Sequence, residues 1–211
     1  MTDDLGFVYR FLPSKDATSA DTLLVLHGTG GDENDLVSLG QTVAPGAAIL
    51  SPRGNVLENG APRFFKRLAE GVFDPEEVRS RAEELARFIR AAVSRYALDP
   101  ARIFALGYSN GANAASTVMF IDPGLIKSAI LLRPMVVFEP EKLVDLSGSS
   151  VFISAGRMDP IVPVPSVERL VEMFESARAT VTLKWQMVGH NLVPGEVSEA
   201  AAWLALQRDT V

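Results

Sequence analysis

Ser109 stands in Gly107-Tyr108-Ser109-Asn110-Gly111, a G-x-S-x-G pattern between the apolar run RIFAL and the small-residue run ANAASTVMF. A serine hydroxyl is a weak nucleophile at its free pKa and needs a base beside it. The pattern suits a strand-to-helix elbow. Glycines two before and two after the serine admit backbone where a side chain would clash, and the hydroxyl projects above the strand end. The N-terminus of the following helix then lies behind it and favours developing negative charge. The plainer reading is a tightly packed glycine-rich turn or a phosphate loop.

Two histidines are available as the base, His27 and His190. His27 closes an apolar run before Gly28, whereas His190 lies in VGHNLVP, after the last strand-like run. In the chain order Ser, Asp/Glu, His, only His190 lies downstream of Ser109. The acid is read as Asp159, just past SVFISAG, because sites in α/β folds gather at strand ends and a carboxylate there can fix the histidine tautomer. Asp-Pro also occurs at Asp74, Asp99 and Asp122, where it is a turn signal. Glu139 is the rival acid. An ester carbonyl attacked by serine becomes an oxyanion, which backbone N–H groups stabilise by about 3 kcal/mol per donor. One donor is expected from Asn110, the residue after the serine. The other is expected from His27-Gly28-Thr29-Gly30-Gly31. That turn lacks the lysine a phosphate loop of the G-x-x-x-x-G-K-[ST] type requires.

These groups need elements to position them. DTLLVLHG (21–28), GAAILSP (46–52), RIFALGYS (102–109), SAILLRPM (128–135), SVFISAG (150–156) and TVTLKWQMV (180–188) read as strands, with FVYRFL (7–12) as an early edge strand. Runs without polar alternation imply strands covered on both faces, hence a mostly parallel sheet flanked by helices. The clearest helix is 75–96, where Val78, Ala82, Leu85, Ile89, Ala92 and Tyr96 draw one apolar stripe. Asp74 suits its N-cap and Glu77 the far end of a D-x-x-E capping box. Further helices are expected over 33–40, 110–121, 164–177 and 195–207. The segment 53–73 reads as a turn-rich, strand-poor loop, and long loops are often functional.

Composition bounds the rest. The chain of 211 residues is long enough for one well-buried core and is expected to form a single domain over 1–211. A formal charge of −6 argues against nucleic acid as a partner. The acidic start MTDDLGF lacks the pattern of a signal peptide, and no run has the length of a membrane span, so the expected location is cytoplasmic. The absence of cysteine excludes disulfides and thiolate chemistry. With two histidines and no HExxH spacing, neither a metal nor another cofactor is expected. Edge strands and apolar helices are compatible with a homodimer.

LHGTGGDE, GYSNGA, AGRMDPIVP and GHNL, in that order and spacing, resemble the phospholipase/carboxylesterase branch of the α/β-hydrolase superfamily. The branch includes acyl-protein thioesterase-like esterases and small bacterial carboxylesterases grouped with dienelactone hydrolases. The resemblance spans Leu26 to His190. It implies a three-layer α/β-hydrolase fold without a separate lid domain, a Ser109-Asp159-His190 triad, and oxyanion-hole amides from Thr29 and Asn110. Dienelactone hydrolases proper use a cysteine nucleophile, which this chain lacks. The thioesterase branch usually reads GFSQG where this chain reads GYSNG. The implied activity is hydrolysis of short or medium acyl or aryl esters, a small-molecule substrate class. Thioesters and lysophospholipids on the same triad, or a non-catalytic binding module, are the alternatives. The pocket is expected to involve Gly28, Arg63, Phe64, Phe65, Met158, Ile161 and Leu192. Arg53, Arg63, Lys66 and Arg67 would give it a basic rim, or form a solvated basic segment. Trp185 and Trp203 read as packing residues.

Overall fold

The computed structural model describes residues 5–16, 19–142 and 144–209, so the acidic residues at the extreme N-terminus lie outside it. In chain order the strands are β1 (Tyr9–Leu12), β2 (Thr22–Leu26), β3 (Ala48–Pro52), β4 (Val56–Glu58), β5 (Ala61–Arg63), β6 (Arg67–Ala69) and β7 (Val72–Phe73). They continue with β8 (Ile103–Tyr108), β9 (Ser128–Leu132), β10 (Ser150–Gly156) and β11 (Thr180–Gln186). The helices are α1 (Val37–Val43), α2 (Pro75–Tyr96), α3 (Asn110–Ile121), α4 (Val164–Ser176) and α5 (Pro194–Arg208).

Seven strands form one sheet in the order β1-β3-β2-β8-β9-β10-β11, with β1 antiparallel at the edge and every other pair parallel. Strands β2, β3 and β9 are buried at every position, which is why their sequences show no polar alternation. Alternate residues feed two cores. Leu24, Leu26, Ala105, Ala129 and Ile153 pack with α2, α3 and α4 on one face. Leu23, Val25, Phe104, Ile130 and Phe152 pack with α1 and α5 on the other. This is the three-layer arrangement expected of the sequence.

From β2 the chain runs to β3 on one side of the sheet and later returns through β8 on the other. The C-terminal ends of β2 and β8 therefore flank a topological switch point, where open α/β sheets leave a crevice. The turns leaving these two strands are HGTGG and GYSNG. Helix α3 fits directly behind the crevice because its residues 110 to 120 are all buried, many of them small.

Some elements differ from expectation. The helix placed at 33–40 begins at Val37, because Asp32 Oδ1 accepts the Asn34 N–H at 2.7 Å and holds a turn there. The strand placed at 128–135 ends at Leu132, since Arg133 takes a left-handed φ of 56°. Helix α2 has its N-cap at Asp74, but the carboxylate accepts from the Glu76 N–H at 3.0 Å, and no capping box forms. Glu77 instead accepts the Lys66 N–H at 3.2 Å and pairs with Arg81. Segment 53–73 is not strand-poor: it folds into two hairpins, β4–β5 and β6–β7. Asn59-Gly60, at φ 52° and 83°, makes the two-residue turn of the first. Asn-Gly is the strongest short hairpin signal.

Asp74→Ala is expected to lower unfolding free energy by about 1 kcal/mol through loss of the α2 cap. Urea denaturation of the two proteins checks this through the shift in midpoint at constant slope.

Candidate active site

Ser109 lies between β8 and α3 at φ 52° and ψ −117°, a conformation that L-residues rarely adopt. Its backbone is held on both sides: its N–H donates to the Leu132 carbonyl at 2.8 Å, and its carbonyl accepts the Asn113 N–H at 3.0 Å. The flanking glycines are required by contact. A Cβ on Gly107 would lie 2.6 Å from the backbone of Ala112, and one on Gly111 would overlap the Leu26 carbonyl.

His190 Nε2 lies 3.0 Å from Ser109 Oγ, and its Nδ1 lies 2.7 Å from Asp159 Oδ2. A carboxylate only accepts, so Nδ1 carries the hydrogen and Nε2 presents its lone pair to the serine hydroxyl. The Asp159 side chain is fully buried, and its Oδ1 accepts the N–H groups of Ile161 at 2.8 Å and Val162 at 3.1 Å. Both carboxylate oxygens are thus engaged, which fixes the orientation from which the imidazole is addressed. Glu139, the rival acid, is exposed and paired with Arg169 at 2.6 Å. His27 is buried and structural in its contacts. Its Nδ1 donates to the Gly28 carbonyl at 2.6 Å, its Nε2 accepts the Gly54 N–H at 2.9 Å, and burial holds its pKa below the ordinary histidine value.

Thr29 and Asn110 border the same cavity as Ser109 and His190, a cleft of about 400 Å³. The Asn110 N–H opens α3 and has no intrahelical acceptor. No backbone acceptor is seen for the Thr29 N–H among the described residues. The β4–β5 hairpin fixes the Thr29 loop: Gly30 N–H donates to the Pro62 carbonyl at 3.0 Å, and Arg63 Nη1 donates to Thr29 Oγ1 at 2.6 Å. Asn110 ties the hairpin to the elbow, its Oδ1 accepting the Phe64 N–H at 2.7 Å.

Of the expected pocket residues, Arg63 and Ile161 border the cavity. Phe64 and Phe65 do not; they are 4% and 0% exposed and belong to the core, the Phe64 N–H being tied to the buried Asn110. Met158 is 62% exposed and stands outside the cavity. Leu192 packs against the α1–α5 core instead. Gly28 makes room for Tyr108, whose ring would lie 2.9 Å from a Cβ there. Of the basic rim, Arg67 borders the cavity, Arg53 is spent on Glu33 at 2.6 Å, and Lys66 faces solvent. Trp203 packs on Phe152 and Trp185 against the larger core, both as expected; the outer face of Trp185 carries the Arg157 guanidinium at 3.9 Å. The cavity roof comes from Arg67, Glu70, Gly71 and Phe73 of the β6–β7 hairpin.

Arg133 is a residue the sequence reading missed. It is completely buried and spends all five N–H groups. Two bind Glu196 in a fork at 2.7 and 2.8 Å, one reaches Ser154, and two reach the carbonyls of Gly189 at 3.2 Å and Asn191 at 2.6 Å. Those carbonyls bracket His190. The His190 carbonyl itself accepts from Tyr108 Oη at 3.1 Å. Glu196 also accepts the Val193 N–H at 2.6 Å, so the same ion pair starts α5. A lone arginine inside the apolar run SAILLRPM was the available signal.

The sequence model of the phospholipase/carboxylesterase family matches residues 9–207. The putative hydrolase MhqD of Bacillus subtilis (strain 168) is 45% identical over 186 residues, covering 88% of this chain and 93% of that protein. The Bacillus cereus carboxylesterase superposes with a TM-score of 0.92 at 45% identity, over 95% of this chain and 94% of that one. A carboxylesterase from Mesorhizobium loti gives 0.90 at 33% identity, over 97% of both chains.

Arg133→Met strands the Glu196 carboxylate in the interior and is expected to cost about 3–5 kcal/mol of stability. Adding Glu196→Gln, which removes the stranded charge and keeps an acceptor for Val193, is expected to restore at least about half of that loss. Urea melts of the single and double variants measure both steps.

Proposed function

The chain belongs to the phospholipase/carboxylesterase family, and on that premise we propose that it is a serine carboxylesterase working through Ser109, His190 and Asp159. The observation that carries this reading is the unbroken hydrogen-bond chain from Ser109 Oγ through His190 to Asp159, with the serine raised on a left-handed backbone. His190 Nε2 takes the hydroxyl proton as Oγ adds to the ester carbonyl carbon. The carbonyl π electrons move to oxygen, where the N–H groups of Thr29 and Asn110 meet the developing charge. Collapse breaks the bond to the alcohol oxygen, which leaves with the proton held by His190. Water then repeats the sequence on the acyl-serine: His190 takes its proton, the acid departs and Ser109 is regenerated. Asp159 remains ionised and holds the imidazole in the tautomer that accepts from serine.

A cleft of about 400 Å³ lies within the roughly 300–1,000 Å³ range of small-molecule sites, and it is bounded by both polar and apolar groups. Short or medium acyl and aryl esters are the substrates that fit this reading. No helix among the described residues is long and apolar enough to cross a membrane.

With p-nitrophenyl acetate or butyrate, we expect a burst of nitrophenolate followed by steady turnover. Ser109→Ala is expected to lose at least about 10⁴-fold in kcat, His190→Ala about 10³-fold or more, and Asp159→Asn at least several hundred-fold. Glu139→Gln is expected to stay within about twofold, because Glu139 is exposed and does not line the cavity. Undiminished turnover by Ser109→Ala would overturn the assignment.

A further inference from the structure

The wall contributed by the two hairpins sets two guanidiniums, Arg63 and Arg67, against the carboxylates Glu58 and Glu70. Arg63 is 3% exposed and borders the cavity. Its Nε donates to the Phe65 carbonyl at 3.0 Å and one Nη1 hydrogen to Thr29 Oγ1 at 2.6 Å, leaving three N–H groups without an acceptor among the described residues. A single carboxylate, Glu58, is shared between two guanidiniums: it lies 3.4 Å from Arg63 and 2.7 Å from Arg67. Glu58 is not part of the cavity surface, whereas both arginines are. The cations therefore stand in front and their counter-ion behind. Glu70, the acid of the cavity roof, is largely exposed and 3.4 Å from Arg67, so solvent screens it.

Desolvation at Arg63 outweighs the attraction of Glu58, Glu70 and Glu77 and lowers its pKa. Asn110 Nδ2, on the same wall, is buried without a hydrogen-bond partner. A guanidinium with free donors in a partly desolvated cleft is suited to a carboxylate, which accepts two parallel N–H bonds. All this occurs in a chain of net charge −6, whose average field repels anions. Two guanidiniums lining the cleft beside Ser109 are a local departure from that average.

We propose that Arg63, with Arg67 at the rim, forms a carboxylate subsite, so that the preferred substrates are esters carrying a free carboxylate a few bonds from the scissile carbonyl. The inference rests on the esterase reading above and names its substrate class. Arg63 reaches Thr29 directly, which places the subsite one side chain from the expected oxyanion position. Half-esters of short dicarboxylic acids match that separation. Hydrolysis of such a half-ester adds one water, releases the alcohol, and yields a dicarboxylate.

The test compares monoethyl glutarate with ethyl pentanoate, esters of similar shape that differ in the terminal carboxylate, by titration of released acid. Wild type is expected to favour monoethyl glutarate at least about 10-fold in kcat/KM, with the preference shrinking as salt is raised. Arg63→Gln and the half-exposed Arg67→Gln are each expected to lower kcat/KM for monoethyl glutarate at least about fivefold more than for ethyl pentanoate. Equal losses on both esters would make Arg63 a positioning residue for the Thr29 loop and overturn the subsite. So would equal kcat/KM of wild type on the two esters. Turnover of p-nitrophenyl acetate by the same preparations reports separately on the esterase reading. Binding gives a readout independent of catalysis: glutarate should raise the Tm of Ser109→Ala, and raise it less in Ser109→Ala/Arg67→Gln. No rise in Ser109→Ala contradicts the subsite even if no ester is turned over.

Discussion

Ser109 holds a backbone conformation, φ 52° and ψ −117°, that costs on the order of 1–3 kcal/mol, and the surroundings of the cleft are built to hold it there. Strand β8 delivers the residue at the sheet end, and α3 leaves immediately behind it. The close approach of α3 to β2 and β8 tolerates no side chain at Gly107 or Gly111. Two backbone hydrogen bonds, to Leu132 and Asn113, oppose relaxation of the turn. The hydroxyl is consequently presented to His190 while the first amides of α3 face the same cleft. Strain, helix N-terminus and hydrogen-bond geometry come from one turn.

The second support is on the far side of His190. That histidine sits in a loop after β11, and loops alone are poor holders of a proton-transfer geometry. Arg133 fixes it from below by binding the carbonyls on both sides, while Tyr108 binds the carbonyl of the histidine itself. A fully buried guanidinium would be costly alone; Glu196 and Ser154 complete its hydrogen bonding. The arginine comes from the end of β9, the serine from β8 and the acid from the end of β10, so three adjacent strands set the spacing of the candidate machinery. A buried ion pair here replaces the rigidity that a regular element would supply.

The layers were legible in the sequence because buried parallel strands are continuous apolar runs and α2 carries an unbroken apolar stripe. The neighbourhood of Ser109, His190 and Asp159 was legible because each follows a strand-like run, in an order few other patterns share. What escaped was set by tertiary contact. Phe64 and Phe65 looked like a pocket wall in a polar loop, but Asn110 pulls that backbone inward and their rings fill the core. Arg133 is a charge in an apolar run whose partners are 21 to 63 residues away, so local pattern could not pair it. The hairpin at Asn59-Gly60, by contrast, carries a local signal in its own two turn residues.

The proposed chemistry turns on one covalent event, acylation of Ser109. Treating the protein with a fluorophosphonate and mapping the adduct by peptide mass spectrometry tests it directly, since the reagent traps an activated serine and mimics the tetrahedral oxyanion. One adduct per chain is expected, on the peptide containing Ser109, with a sharp fall in labelling in His190→Ala. An unlabelled protein, or an adduct on another serine with Ser109 unmodified, would contradict it.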